Sequence, residues 1–452
     1  MISLFDTAAG EVVPLELRDP GKISIYVCGP TVYGPPHIGH GRHALVYDVL
    51  RRFLVWKGLD VSFVSNITDI DDKIIDRAKA EGRDWHDIAT KCERVWWRSM
   101  ELLNVDKPDH IPHATDYVEP MVGLIAELID AEKAYVTSDG VYLRVAEVPD
   151  YGLLANQNLD DLVEGGGDRT VVGEEKENPA DFALWKFTKP GEPSWGSPWG
   201  EGRPGWHTEC VVMSLDLLGE GFDLHTGGLD LTFPHHENER AQAVADGKRF
   251  ARHWMHHGFV EMEGEKMSKS LGNVTNLLDL AESYDPRAYR LLVLQSHYRS
   301  PMEVTDTSLS NAQAAMARLD AFARRFASTS QSADAAAMAE FDAAMSRDLD
   351  TSGAVDLMFR KVREANTSLD RGDQNEAAVA AATALEIARV VGLVLRSSAG
   401  EVPDEIAELV RDRTAARASK DWARADEIRD RLTAAGWMVE DGPEGPVARP
   451  VA

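Results

Sequence analysis

The pattern that most restricts the fold is a strand–helix–strand run near the N-terminus. Ile23, Ile25 and Val27 alternate with Ser24 and Tyr26, a strand pattern that stops at the break Gly29-Pro30. Ala44, Leu45, Val49, Leu50, Phe53 and Leu54 then recur at helical spacing, with Gly58 placed to end the helix. A second strand is predicted over Val61-Ser-Phe-Val-Ser-Asn-Ile67. Strands joined through a helix form a right-handed crossover in a parallel sheet, and ligands bind where the strands end.

Further on, amphipathic helices are predicted over about 70–103 and 116–133, and Tyr135–Val145 reads as a hairpin turning at Asp139-Gly140. From Pro149 to Trp199 the chain is rich in Gly, Pro and charge, with Gly165-Gly-Gly167 at a flexible tip, so 111–199 reads as an insertion. Helix–strand alternation returns with Glu209–Leu218, Phe222–Leu224 and a helix from near Pro234. Beyond Thr305 the chain is alanine-rich and helical, with segments Asn311–Phe326, Ala337–Met345, Ser352–Leu369 and Glu376–Leu395, the makings of a bundle. Ala327–Ala337 reads as a flexible linker within it. The predicted fold is an α/β Rossmann-type domain with an insertion, then an α-helical bundle tail and a small C-terminal α/β piece.

The 452 residues, 44% hydrophobic and 27% charged, suit a soluble globular protein of several domains. No apolar run reaches membrane-spanning length, and Met1-Ile-Ser-Leu-Phe-Asp6 lacks the layout of a secretory signal, so a cytoplasmic protein is expected. Three cysteines, Cys28, Cys92 and Cys210, do not make a disulfide framework. A net charge of −27 argues against a chain devoted to gripping nucleic acid, but leaves room for a local basic face.

Two short motifs carry phosphate chemistry. His37-Ile-Gly-His40 follows the first strand and opens the helix, where free N–H groups and the positive dipole end favour phosphate. Gly39 permits close approach of a nucleotide, and His37 and His40 lie on one helix face as donors. Lys266-Met-Ser-Lys-Ser270 offers two ammonium groups to charge developing on a transferring phosphoryl group. This pair of motifs, in this order, resembles a class I aminoacyl-tRNA synthetase.

A third group is Cys28, Cys210, His235 and Glu239, a plausible donor set for zinc, with His235 and Glu239 four apart on one helical face. The spacing is not that of a zinc finger, and ordinary packing fits each residue as well. His236 and Glu237 are decoys on other faces of the same turn. The segments Tyr26-Val-Cys-Gly-Pro-Thr-Val-Tyr33, Gly202-Arg-Pro-Gly-Trp-His207 and Phe233-Pro-His-His-Glu-Asn-Glu239, with Lys266–Ser270, are together similar to the cysteinyl-tRNA synthetase family over nearly the whole chain.

That resemblance implies one zinc ion per subunit held by Cys28, Cys210, His235 and Glu239, and Mg2+ accompanying ATP. It implies catalytic roles for His37, His40, Lys266 and Lys269, and ATP contacts from His37, Gly39, His40, Gly228, Asp230 and Lys269. Gly29, Thr31, Thr68 and Trp206 would line the pocket for cysteine. The partners implied are tRNA(Cys), L-cysteine and ATP, with a monomer expected and no editing domain. The implied domains are 1–110 with 200–260 (catalytic), 111–199 (connective insertion), 261–304 (KMSKS loop and stem contact), 305–397 (anticodon-binding bundle) and 398–452 (small C-terminal domain). Phosphate contacts would come from Arg411, Arg413, Arg417, Lys420, Arg424, Arg429 and Arg431, although Asp412, Asp421, Asp426, Glu427 and Asp430 are interleaved with them. The sequence departs from the family at Gly34-Pro35-Pro36, Thr208 and Val211-Val212, none of them an implied ligand. Two rivals are a mycothiol-pathway ligase joining cysteine to an amino-sugar, which lacks the full tail, and a non-catalytic paralogue, which would need neither phosphate motif.

Overall fold

The computed structural model describes residues 1–157, 175–262, 265–266, 275–397, 404–419, 421–435, 437–442 and 445–450. A hairpin of β1 (Ser3–Asp6) and β2 (Glu11–Pro14) precedes β3 (Lys22–Val27), α1 (Ile38–Trp56) and β4 (Asp60–Ser65). Next come α2 (Asp72–Glu81), α3 (Trp85–Leu102) and α4 (Val118–Asp130). The helical pattern foreseen over 70–103 is two helices, because Gly82 takes a left-handed φ of 62° and Asp84 caps α3 through His86 N–H. β5 (Ala134–Val136), β6 (Gly140–Leu143), β7 (Phe182–Phe187) and β8 (Gly202–Pro204) form an antiparallel sheet in that order. The glycine run Gly165–Gly167 lies outside the described residues.

The chain then returns through α5 (Trp206–Leu218), β9 (Leu224–Gly228), α6 (Glu237–Ala245) and β10 (His253–His257). The central sheet runs β10-β9-β3-β4 with every pair parallel, the doubly covered α/β arrangement expected from the first crossover. β3 is an inner strand, so Ser24 and Tyr26 are buried along with Ile23, Ile25 and Val27. Burial of Ser24 is tolerated because its N–H and Oγ both donate to Asp223 Oδ2, at 2.8 and 2.7 Å. α1 stops as the sequence suggests: Gly58 adopts φ 82° and the next N–H, of Leu59, closes back on Leu54 O.

Helices Asp306–Arg325, Ala335–Ser346, Thr351–Asp370 and Gln374–Val390 form the bundle. Three of them start at an aspartate, Asp334, Asp350 or Asp373, whose carboxylate accepts a first-turn N–H. The expected linker Ala327–Ala337 is instead tied down. Thr329 Oγ1 donates to Ala378 O, Asp334 N–H donates to Thr383 Oγ1, and the next helix already starts at Ala335. Two further helices, Asp404–Ala418 and Trp422–Ala434, and the hairpin of Trp437–Gly442 with Gly445–Pro450, share a small core of Ile406, Leu409, Ile428 and Leu432. Among the described residues, no helix is long and apolar enough to cross a membrane.

A buried ion pair ties α1 to the helix Pro286–Leu294. Arg290 and Asp48 are both 1% exposed, with Nη2 to Oδ2 at 2.6 Å. The same guanidinium donates to Leu103 O and Asn104 O at the end of α3 and to Val391 O at the end of the bundle. Arg52 Nε also reaches Asp48 Oδ2, at 2.8 Å, so Arg290→Leu would leave Asp48 one cation but strip the buried carbonyls of Leu103 and Val391 of this donor. We expect the urea-unfolding free energy of the unit containing α1 to fall by about 1–3 kcal/mol, read as a lower transition midpoint.

Candidate active site

Three segments far apart in sequence meet where β3 and β9 end. Cys28 follows the last residue of β3 and its N–H donates to Thr226 O across the sheet at 3.2 Å. Cys210 comes from the first turns of α5, and His235 and Glu239 from the turn that leads into α6. The donor atoms of these four buried residues all lie within 4.8 Å of one another. Two sulfurs held tetrahedrally at their usual zinc distance lie about 3.8 Å apart. The two thiols here are 3.7 Å apart. Cys28 Sγ to Glu239 Oε1 is 3.4 Å and Cys210 Sγ to His235 Nε2 is 3.7 Å, against edges of about 3.5 Å for such a site. His235 Nε2 to Glu239 Oε1 is shorter, 2.9 Å, an ordinary hydrogen-bonding separation.

The charges sort themselves in the same way. Burial alone would raise the Glu239 carboxyl, but the His225 and His235 rings hold it well below the usual carboxylate range. Burial also opposes a charge on His235, yet Glu239 and Cys210 push its pKa up to about 10. Burial pushes the Cys28 thiol up, and its neighbours Cys210 and Glu239 add to that. The donor set fits zinc: two soft sulfurs, an imidazole and a carboxylate in a dry cage.

Residues around the cage orient it; of these, sequence reasoning singled out Trp206, as a pocket residue, and missed His225 and His207. His225 Nε2 lies 2.6 Å from Glu239 Oε2, the oxygen turned away from the cage. His207 Nδ1 lies 2.8 Å from His235 Nδ1, and Trp206 lies flat on the His235 ring with centroids 3.9 Å apart. Such partners set the tautomer and direction of a ligating side chain. Cys28, His225, His236 and Glu239 make a second convergent group. We favour the first because it brings two thiols to one centre, the softer donor set for zinc. Nothing in the spacing of the sequence links position 225 to 239; parallel pairing of β9 does.

The expected cysteine-pocket residues are neighbours. Thr31 and Thr68 form a parallel bridge, and Gly29 N–H donates to Asn66 Oδ1 at 2.8 Å. Gly29 has to be glycine, since a Cβ would stand 1.6 Å from Asn66 O. Thr68 Oγ1 donates to Glu209 Oε2 at 2.8 Å and accepts from Asn66 Nδ2 at 3.2 Å. Glu209 is fully buried, and burial, with Cys210 beside it, raises its carboxyl well above the usual range.

At the phosphate end the structure adjusts one expectation. His37 is the N-cap of α1 in extended conformation, outside the helix, so it does not share a helical face with His40. The two rings still meet, centroids 3.8 Å apart, and His37 N–H donates to His40 Nδ1 at 3.1 Å. Gly39 lies between them in the first turn. Gly228 ends β9, and exposed Asp230 follows it. One turn beyond His40, His43 is pushed down to about 4 by burial, against the pull of nearby Asp230. Lys266 is described by its backbone, in a short strand paired with Val260–Met262. Lys269 and the remainder of the motif lie outside the described residues, as does Lys420. In the tail, Arg424 pairs with Glu427 at 2.7 Å and Arg429 with Asp426 at 2.9 Å, which partly neutralises that helix.

Comparison with known proteins places this geometry. Residues 14–314 match the family described as tRNA synthetases class I (C) catalytic domain, residues 340–396 a DALR domain, and residues 399–445 a Cysteinyl-tRNA ligase anticodon binding domain. Among solved structures the fold is similar to Mycobacterium tuberculosis methionyl-tRNA synthetase in complex with methionyl-adenylate, with TM-score 0.62 and 17% identity over 86% of this chain and 94% of that one. A putative arginyl-tRNA synthetase from Campylobacter jejuni gives TM-score 0.56 at 13% identity over 84% and 93%. The fold and the catalytic-domain match together define a class I aminoacyl-tRNA synthetase. Full-length relatives narrow it. Cysteine--tRNA ligase of Halorhodospira halophila is 44% identical over 455 residues, and that of Caldicellulosiruptor saccharolyticus 42% over 460, each covering 98% of both chains. The chain belongs to the cysteinyl-tRNA synthetase family.

The His225 contact generates a test. His225→Ala frees Glu239 Oε2 without removing a cage donor, so zinc affinity, measured by competition with a chromophoric chelator, is expected to fall about 10–100-fold. An unchanged affinity would show that Glu239 is held by something else.

Proposed function

We propose that the chain activates L-cysteine with Mg·ATP to cysteinyl-adenylate and passes the cysteinyl group to the terminal ribose of tRNA(Cys) with release of AMP, selecting its substrate by the thiol. The observation that supports this most strongly is the convergence of Cys28, Cys210, His235 and Glu239 in one buried cage beside the helix that opens at His37–His40. A zinc ion held there would supply a soft Lewis acid that binds a thiolate in preference to the hydroxyl of serine. Discrimination of that kind exceeds the about 1–3 kcal/mol available to a pocket that judges size alone, so no second sieve is needed.

The remaining residues bind and orient. Gly29, Thr31, Thr68 and Trp206 are assigned to the cysteine, and Gly228 and Asp230 to the nucleoside. The cysteine carboxylate attacks the α-phosphorus and pyrophosphate leaves. His37 and His40 donate to the phosphate oxygens, and Lys266 and Lys269 neutralise charge that grows on the departing group. No protein nucleophile takes part. Both phosphate motifs and all four cage donors come from one chain, so a monomer would carry a complete site. The domain limits we assign follow the predicted ones, with the tail after 305 receiving tRNA. An amino-sugar acceptor is disfavoured by the match that runs on through 399–445.

Holoenzyme should catalyse cysteine-dependent ATP–pyrophosphate exchange and charge tRNA(Cys), with no product from glucosaminyl-inositol. Exchange without charging would remove tRNA as the acceptor. Cys210→Ser should lower zinc affinity by at least tenfold and abolish cysteine-dependent exchange; a variant that kept both would refute the ligand assignment.

A further inference from the structure

Arg42, two residues past His40 on α1, is 1% exposed, and no carboxylate pairs with it among the described residues. A buried guanidinium normally needs a counter-charge. Here it is met by carbonyl dipoles from two separate segments. Nη1 donates to Gly258 O and Phe259 O at 3.0 and 2.6 Å, and Nη2 to His297 O, Tyr298 O and Ser300 O at 3.2, 3.1 and 2.5 Å. One planar fork reaches both because the segments touch with no side chain between them. At Gly258 a Cβ would stand 2.6 Å from Arg299 O and 2.7 Å from Ser300 O.

Those segments are the footing of the second phosphate motif. Phe259 leads directly into Val260–Met262, which pairs with Glu265–Lys266 on one side and with Met302–Glu303 on the other. The chain downstream of the motif is also tied to the start of α1: Ile38 N–H donates to Thr275 O at 3.0 Å and Leu277 N–H to Pro36 O at 2.9 Å. The upstream chain has the Arg42 side chain for this purpose. Residues two apart on a helix face away from one another, so Arg42 does not point where His40 points. It has no route to the substrate.

We propose that Arg42 is a positioning residue for adenylate formation, fixing the distance between the His37–His40 donors and the hairpin that carries Lys266. This rests on the reading that both motifs act on one ATP. The carbonyls offset the cost of burying the charge only when all of them stay in place, so a shift of either segment leaves a donor or acceptor unpaired. Lysine would keep the charge but cannot fork between two segments.

The test uses zinc-loaded full-length enzyme. In Arg42→Lys, single-turnover formation of cysteinyl-adenylate should slow by about ten- to a hundredfold, the scale of a small misplacement of reacting groups. Cysteine affinity by calorimetry, and transfer from preformed adenylate to tRNA, should change by less than about twofold, since neither uses that spacing. Gly258→Ala, which forces the two acceptor segments apart and leaves the guanidinium alone, should give the same selective loss. An unchanged adenylation rate would overturn the proposal. So would parallel loss of adenylation, cysteine affinity and thermal stability, or failure of both variants to fold, since each would assign Arg42 to stability alone. Wild-type enzyme that formed no cysteinyl-adenylate would instead refute the underlying reading of function.

Discussion

The parallel pairing of β3 with β9 is the contact on which the active site depends. Register Ile25↔Leu224, Tyr26↔His225 and Val27↔Thr226 brings two strands separated by nearly two hundred residues to a common end. Cys28 leaves one strand where Gly227 and Gly228 leave the other. The same register carries His225 to the far oxygen of Glu239. Without it the cage has donors but no shared centre. A parallel sheet permits this because all its strands end on the same side, and helices return the chain over both faces.

The proposed function divides selection from activation. The substrate thiol would be read where the buried side chains of Cys28, Cys210, His235 and Glu239 converge. The phosphate end lies at the start of α1, where His37 serves as the N-cap and His40 occupies the first turn. Its neighbourhood is assembled from distant backbone: residues 36–38 meet 275–277, and Arg42 gathers carbonyls from 258–259 and 297–300. A rigid frame therefore surrounds a site whose reacting groups come from motifs far apart in the chain.

Much of this was legible before the structure. The crossover, the end of α1 at Gly58 and the bundle helices follow from periodicity and end signals, which are local. The opening of a helix at His37–His40 was legible because a strand and a glycine-proline break precede it. The expected linker Ala327–Ala337 was misread because small polar residues look the same whether they are solvated or hydrogen-bonded to a neighbouring helix. The shared face assigned to His37 and His40 failed because the helix begins one residue later than a periodic count suggests.

The sequence by itself determined the elements, the two phosphate motifs and the family resemblance, since each resides in short-range order along the chain. Tertiary structure decided what no spacing encodes. It set His235 beside Cys210 and His236 against His256, and it recruited His225, His207, Glu209 and Asn66 as partners of expected site residues. It also buried Arg42 with no carboxylate partner among the described residues. These outcomes depend on which surfaces pack together, and packing is settled by the whole core at once rather than by neighbours in sequence.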